Sequence, residues 1–161
     1  MAHPARNAAP TSILNPSRTF FVTTSTAIGK RILQSERNAG LVIEVLRSLV
    51  GEHKFELHDF VIMPDHVHLM MLTVYDEMTI EKAMQLIKGR FSHRLSHEFG
   101  YKGEVWHRGF VEEQLMNRES VEAHRRYIAE NPVKAGLAAA ADEFPFCFRY
   151  LAKKKAERSR G

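Results

Sequence analysis

The chain has 161 residues, with 23 Lys and Arg against 19 Asp and Glu, giving a formal net charge of +4. Its single cysteine, Cys147, excludes an internal disulfide and fits a reducing compartment. No apolar run is long enough to span a bilayer and the first residues carry no apolar signal core. The expectation is therefore one soluble, cytoplasmic domain with no membrane partner, and the excess of base favours a polyanion, chiefly nucleic acid.

Residues 1–17, rich in Ala, Pro, Asn and Ser, read as a flexible N-terminal segment. Arg18 to Thr24 is β-branched and aromatic, and predicts a first strand. A helix follows from about Ser35, a suitable N-cap, to Val50, with Ala39, Val42, Ile43, Leu46 and Leu49 on one stripe and Gly51 suited to its C-terminal end. Phe55 to Met63 predicts a second strand, stopped by Pro64, which cannot donate to a sheet ladder. Pro64-Asp65 makes a tight turn. His66 to Thr73 is then a third strand, antiparallel to the second.

The next helix spans about Thr79 to Phe99, with Ile80, Ala83, Met84, Ile87, Phe91 and Leu95 buried and Lys88, Arg90 and Arg94 among its charges. A loop with Gly100, Gly103 and Trp106 leads to a fourth strand, Phe110 to Met116. A third helix starts at Asn117 as N-cap and is expected to end by Asn131, because Pro132 follows. The domain is placed at residues 18–150. Residues 151–161, with Lys153, Lys154, Lys155, Arg158 and Arg160, read as a basic mobile tail.

This order, β-α-β-β-α-β with one more helix, predicts an α+β, ferredoxin-like antiparallel sheet whose first and third strands are central. Both earlier helices would share one face, leaving the added helix to cover the other. Side chains alternate along a strand, so His66 and His68 share a face and Val67 points the other way. Two imidazoles beside a turn can hold a metal ion; they can equally be half-buried packing residues. On the third helix His124, Tyr127 and Asn131 lie along one face. Over the histidine face, Tyr127 and Asn131 would bring a phenol and an amide oxygen to the imidazoles.

Met63-Pro64-Asp65-His66-Val67-His68-Leu69 resembles the His-hydrophobic-His (HUH) motif of single-strand endonucleases. Tyr127-Ile128-Ala129-Glu130-Asn131-Pro132-Val133-Lys134-Ala135-Gly136-Leu137 resembles the tyrosine block of REP-associated tyrosine transposases, relatives of the small insertion-sequence transposases. The likeness runs from about Arg18 to Tyr150. It departs at Pro145-Phe146-Cys147-Phe148, where the family has an aromatic-Ser-Ser cluster. The resemblance implies a divalent ion, Mg²⁺ or Mn²⁺, on His66, His68 and Asn131, and Tyr127 as the nucleophile. It also implies a single-stranded, hairpin-bearing DNA substrate and a 5′-phosphotyrosine link. A phenol ordinarily ionises near pH ~10, so attack needs a nearby cation or base.

Arg125, Arg126 and Lys134 flank the tyrosine and, with Lys88 and Arg90, are candidate phosphate contacts; each also reads as ordinary surface charge. Trp106 could stack a base or sit in the core. His124 is a candidate proton shuttle, and Glu112 and Glu113 could reach the metal. The alternative function is a non-catalytic nucleic-acid-binding module on a ferredoxin-like sheet. The chain would act as a monomer, or as a dimer exchanging the tyrosine helix.

Overall fold

The computed structural model describes residues 19–73 and 77–160. The N-terminal segment, expected to be flexible, lies outside the described residues. Four strands, β1 (Thr19–Ser25), β2 (Glu56–Ile62), β3 (His66–Leu72) and β4 (Val111–Gln114), form one sheet in the order β2-β3-β1-β4. Every pairing is antiparallel. This is the α+β, ferredoxin-like arrangement expected, with β1 and β3 central.

Two helices, α1 (Glu36–Gly51) and α2 (Ile80–Phe99), cover one sheet face. Their apolar stripes meet Phe20 and Val22 of β1, Phe60 and Ile62 of β2, and Val67, Leu69 and Met71 of β3 in the main core. The opposite face carries Val61 and Met70, which pack with Val121 and Ile128 of α3 (Arg118–Lys134), Leu115, Phe144 and Cys147. Burying Val121 and Ile128 stabilises the seating of α3 by about 1.5–3 kcal/mol each. Thus α3 lies on the face that carries His68.

The helix starts follow the expected caps. Ser35 accepts the Asn38 N–H, Thr79 that of Lys82, and Asn117 that of Ser120. The ends differ in two places. At the end of α1, Gly51 is still helical, and the left-handed residue is His53, with φ 60°. The N–H groups of His53 and Lys54 then close onto the carbonyls of Val50 and Leu49.

The second difference is at Pro132, where α3 was expected to stop. It continues to Lys134 with a buried Pro132 inside it. Pro132 cannot donate to Ile128 O and its ring crowds that carbonyl, and only two helical residues follow it before the helix closes. The turn beyond it is well closed: Gly136, at φ 74°, donates to Val133 O, and Leu137 donates to Pro132 O. That pattern satisfies carbonyls that would otherwise be orphaned at the helix end.

β4 is shorter than expected, covering only Val111–Gln114. The basic segment expected as a mobile tail is instead helical as far as it is described: residues 151–160 continue α4 (Phe148–Arg160). Leu151 packs against the main core, and Lys153 pairs with Asp142 at 3.2 Å. Among the described residues, no helix is long and apolar enough to cross a membrane.

Candidate active site

The register of the sheet builds the site. Thr23 stands opposite His68, Ser25 opposite His66 and Phe21 opposite Met70. Because side chains alternate, these residues share the face that α3 covers. The Thr23 hydroxyl lies 2.8 Å from His68 Nδ1, and Asp65 Oδ1 lies 2.8 Å from His66 Nδ1. The two imidazoles lie nearly edge to face, with centroids 4.7 Å apart. Each ring is therefore held through Nδ1, leaving Nε2 as the nitrogen that can ligate.

His68 is only 4% exposed, and its Nε2 is buried with no hydrogen-bond partner. Burial, and secondarily the neighbouring His66, hold its pKa down to about 4. The ring is thus neutral at physiological pH, the form that binds metal. A buried, unpartnered ring nitrogen on a neutral imidazole fits a metal ion. Among the described residues, no group of three or more His, Cys, Asp or Glu side chains gathers around it. Two imidazoles, neutral oxygens, water and phosphate would have to complete the coordination.

α3 brings Tyr127 to this pair. The Tyr127 ring meets His68 edge-on, with centroids 5.2 Å apart, in the same chain. Tyr127 is 47% exposed, so its hydroxyl side is open to a ligand. Phe21 is the hub on which these rings pack. It stacks on His68 at 5.3 Å, and lies 6.0 Å from Tyr127 and 4.7 Å from His124. His124 contacts Ser120 O through Nδ1 at 2.7 Å and Glu113 Oε1 through Nε2 at 3.3 Å. The Glu113 contact clasps α3 to β4, while the Ser120 contact lies within α3. Glu112 falls on the opposite sheet face by alternation.

The other expected residues divide. Asn131 lies one turn beyond Tyr127, half-buried; its backbone carbonyl accepts the Ala135 N–H, and no hydrogen bond among the described residues joins its side chain to an imidazole. Arg126 is exposed on α3, and Lys134 is exposed with Glu130 3.6 Å away. Arg125 is half-buried, with its Nε enclosed and without a partner, and its charge acts on Asp59.

Lys88 and Arg90 belong to the α1–α2 layer across the sheet from the histidines. Lys88 donates to the carbonyls of His107 and Gly109, and Arg90 forks onto Glu52 at 2.7 and 3.2 Å. Both make structural contacts. Trp106 is a packing residue: its ring lies 5.4 Å from Phe91, and its N–H donates to Lys88 O. The residues missed in the sequence are Phe21 and Thr23. Their signal was the period-2 alternation of β1, which only strand pairing converts into a position beside His68.

The sequence model of IS200-like transposases matches residues 22–131, a span that holds His66, His68, His124 and Tyr127 and begins one residue after Phe21. The chain belongs to the IS200-like transposase family. A REP-associated tyrosine transposase of Escherichia coli K12 is 27% identical over 95 residues, covering 59% of this chain and 54% of that protein. The chain spans little more than half the length of the curated relatives it matches. A solved structure of a REP-associated tyrosine transposase bound to a REP hairpin superposes with a TM-score of 0.63 at 25% identity, over 81% of this chain and 75% of that one. A structure from Deinococcus radiodurans, 22% identical with a TM-score of 0.53 over 70% and 88% of the two chains, shares the fold.

Proposed function

We propose that this IS200-like transposase is a metal-dependent, single-strand DNA endonuclease and strand transferase that cleaves near hairpins through Tyr127. The observation that carries this reading is the Tyr127 ring resting on His68, whose Nε2 is buried and unpartnered. The hairpin held by the similar solved structure supports the substrate class. His66 and His68 would hold Mg²⁺ or Mn²⁺, with Asn131 of α3 as a neutral oxygen donor. When bound, such an ion supplies positive charge beside the scissile phosphate.

The chain's own groups do the rest. Tyr127 Oη attacks phosphorus and gives up its proton to solvent. The P–O3′ bond breaks, the leaving oxygen takes up a proton as a 3′-hydroxyl, and the 5′-phosphate stays on Tyr127. Attack by another 3′-hydroxyl reverses the step and joins strands, so no nucleotide cofactor is consumed. Phe21, Thr23 and the Glu113–His124 clasp hold the rings in register. Arg126 and Lys134, exposed on the helix of the nucleophile, contact the phosphate backbone.

The test is incubation with single-stranded hairpin DNA and Mn²⁺, read on a denaturing gel. Wild type forms a covalent protein–DNA adduct, and Tyr127→Phe binds DNA but forms none. Equal adduct from both proteins overturns the assignment.

A further inference from the structure

We propose that the cleft beside His66, walled by the β1–α1 loop, binds one unpaired nucleotide of the DNA strand, its base against Ile28 and its phosphate on Arg31. The inference rests on His66 and His68 being the reaction centre. The cleft has a volume of about 570 Å³, and its walls include Ile28, Lys30, Arg31, Asp65, His66 and His107. Asp65 and His66 thus belong both to this wall and to the proposed centre. A strand whose phosphate reaches the histidines has its next nucleotide at this opening. The volume is in the range of small-ligand sites and holds one nucleotide.

The chemistry of the wall matches that occupant. Ile28 is 85% exposed, an apolar side chain at the tip of a turn where Gly29 takes φ 78°. An aliphatic side chain held out beside a cationic rim suits the face of a base, as the apolar wedges of other DNA-binding proteins do. Arg31 is exposed, and among the described residues its guanidinium has no ion-pair partner. The one carboxylate on the wall, Asp65, is bonded to His66 Nδ1. Lys30 and Arg31 outnumber that carboxylate, so the net charge facing the cleft is positive.

The loop is also built rather than loose. Thr26 N–H donates to Asp65 O at 2.9 Å, and its hydroxyl contacts the carbonyls of Lys30 at 2.6 Å and Asp65 at 3.1 Å. Ala27 N–H donates to Val105 O, Leu33 N–H to Pro64 O and His107 N–H to Ser25 O. These bonds fasten both ends of the loop to the turn that carries His66. A fastened wall binds with less ordering cost than a mobile one.

The experiment titrates the ¹⁵N-labelled full chain with a pool of randomised single-stranded hexanucleotides, and with the same backbone lacking bases. The amides of Ile28, Gly29, Arg31 and His107 shift with the intact pool, which binds about fivefold or more tighter than the abasic one. Ile28→Ala removes that preference without changing the salt dependence. Arg31→Ala lowers the slope of log affinity against log salt by about one, the signature of one lost phosphate contact. Shifts confined to other surfaces, or equal binding of both pools with Ile28 in place, overturn the proposal. Neither readout requires cleavage, so absence of a Tyr127 adduct would count against the proposed reaction and not against this subsite.

Discussion

The ring of Tyr127 rests edge-on against His68 within one chain, 5.2 Å between centroids, with Phe21 packed on both. The helix carrying Tyr127 is therefore seated on its own sheet, so a single protomer assembles the whole ring cluster. Mixing Tyr127→Phe with His68→Ala protein should consequently yield no adduct on hairpin DNA. Restored activity in the mixture would show that protomers exchange α3.

The Thr23 hydroxyl fixes the His68 ring through Nδ1. Thr23→Val keeps the shape but removes that partner. Loss of an outer hydrogen bond of this kind weakens metal binding about tenfold or more. Mn²⁺ affinity, measured by electron paramagnetic resonance, should fall accordingly while the thermal midpoint moves little. Unchanged affinity would remove Thr23 from the site.

Asp59 is buried on β2, on the same sheet face as His68, and bonds the Phe60 N–H. Burial raises its pKa to about 6, with that backbone bond and then the charges of Arg125 and Arg149 opposing. A carboxyl raised on folding contributes stability that is full below the unfolded pKa and is lost as pH rises through the folded one. Stability should thus decline from about pH 4 to pH 6 on this account. Asp59→Asn keeps the acceptor for Phe60 and removes the charge, so it should stabilise the protein at pH 7.5 by on the order of 2 kcal/mol. Urea titrations across that range check it; an unaltered pH slope in the variant contradicts it.

Gly136 closes α3 at φ 74°, with open space where a Cβ would stand. The cost of Gly136→Ala is then purely conformational, about 1 kcal/mol. It should appear as a lower urea midpoint with an unchanged slope.

Much of this was legible in the sequence because it depends on spacing. The strand alternation put His66 and His68 on one face, and the helical spacing put Tyr127 toward it. Ser35, Thr79 and Asn117 marked helix starts through short-range hydrogen bonds. What was not legible depends on partners far along the chain. Lys88 and Arg90 are indistinguishable from DNA-contacting cations until the His107 carbonyl and Glu52 are seen beside them. Phe21 looks like any strand aromatic until β1 is paired with β3. Pro132 reads as a stop because proline disfavours helix on its N-terminal side; here Pro132 is buried, and the closing turn around Gly136 satisfies the carbonyls beyond it. The helix at 148–160 is highly charged, and Leu151 anchors it to a core that the local sequence does not announce.

The segment Phe146–Cys147 lies along the outer rim of β2. Ile62 N–H donates to Phe146 O, and Val61 bridges Cys147. The opposite rim, β4, has four residues, two of them Glu. One border of the sheet is closed by the chain itself, and the other is too short and too charged to recruit a further strand. The sheet thereby offers copies of this chain little free border along which to polymerise.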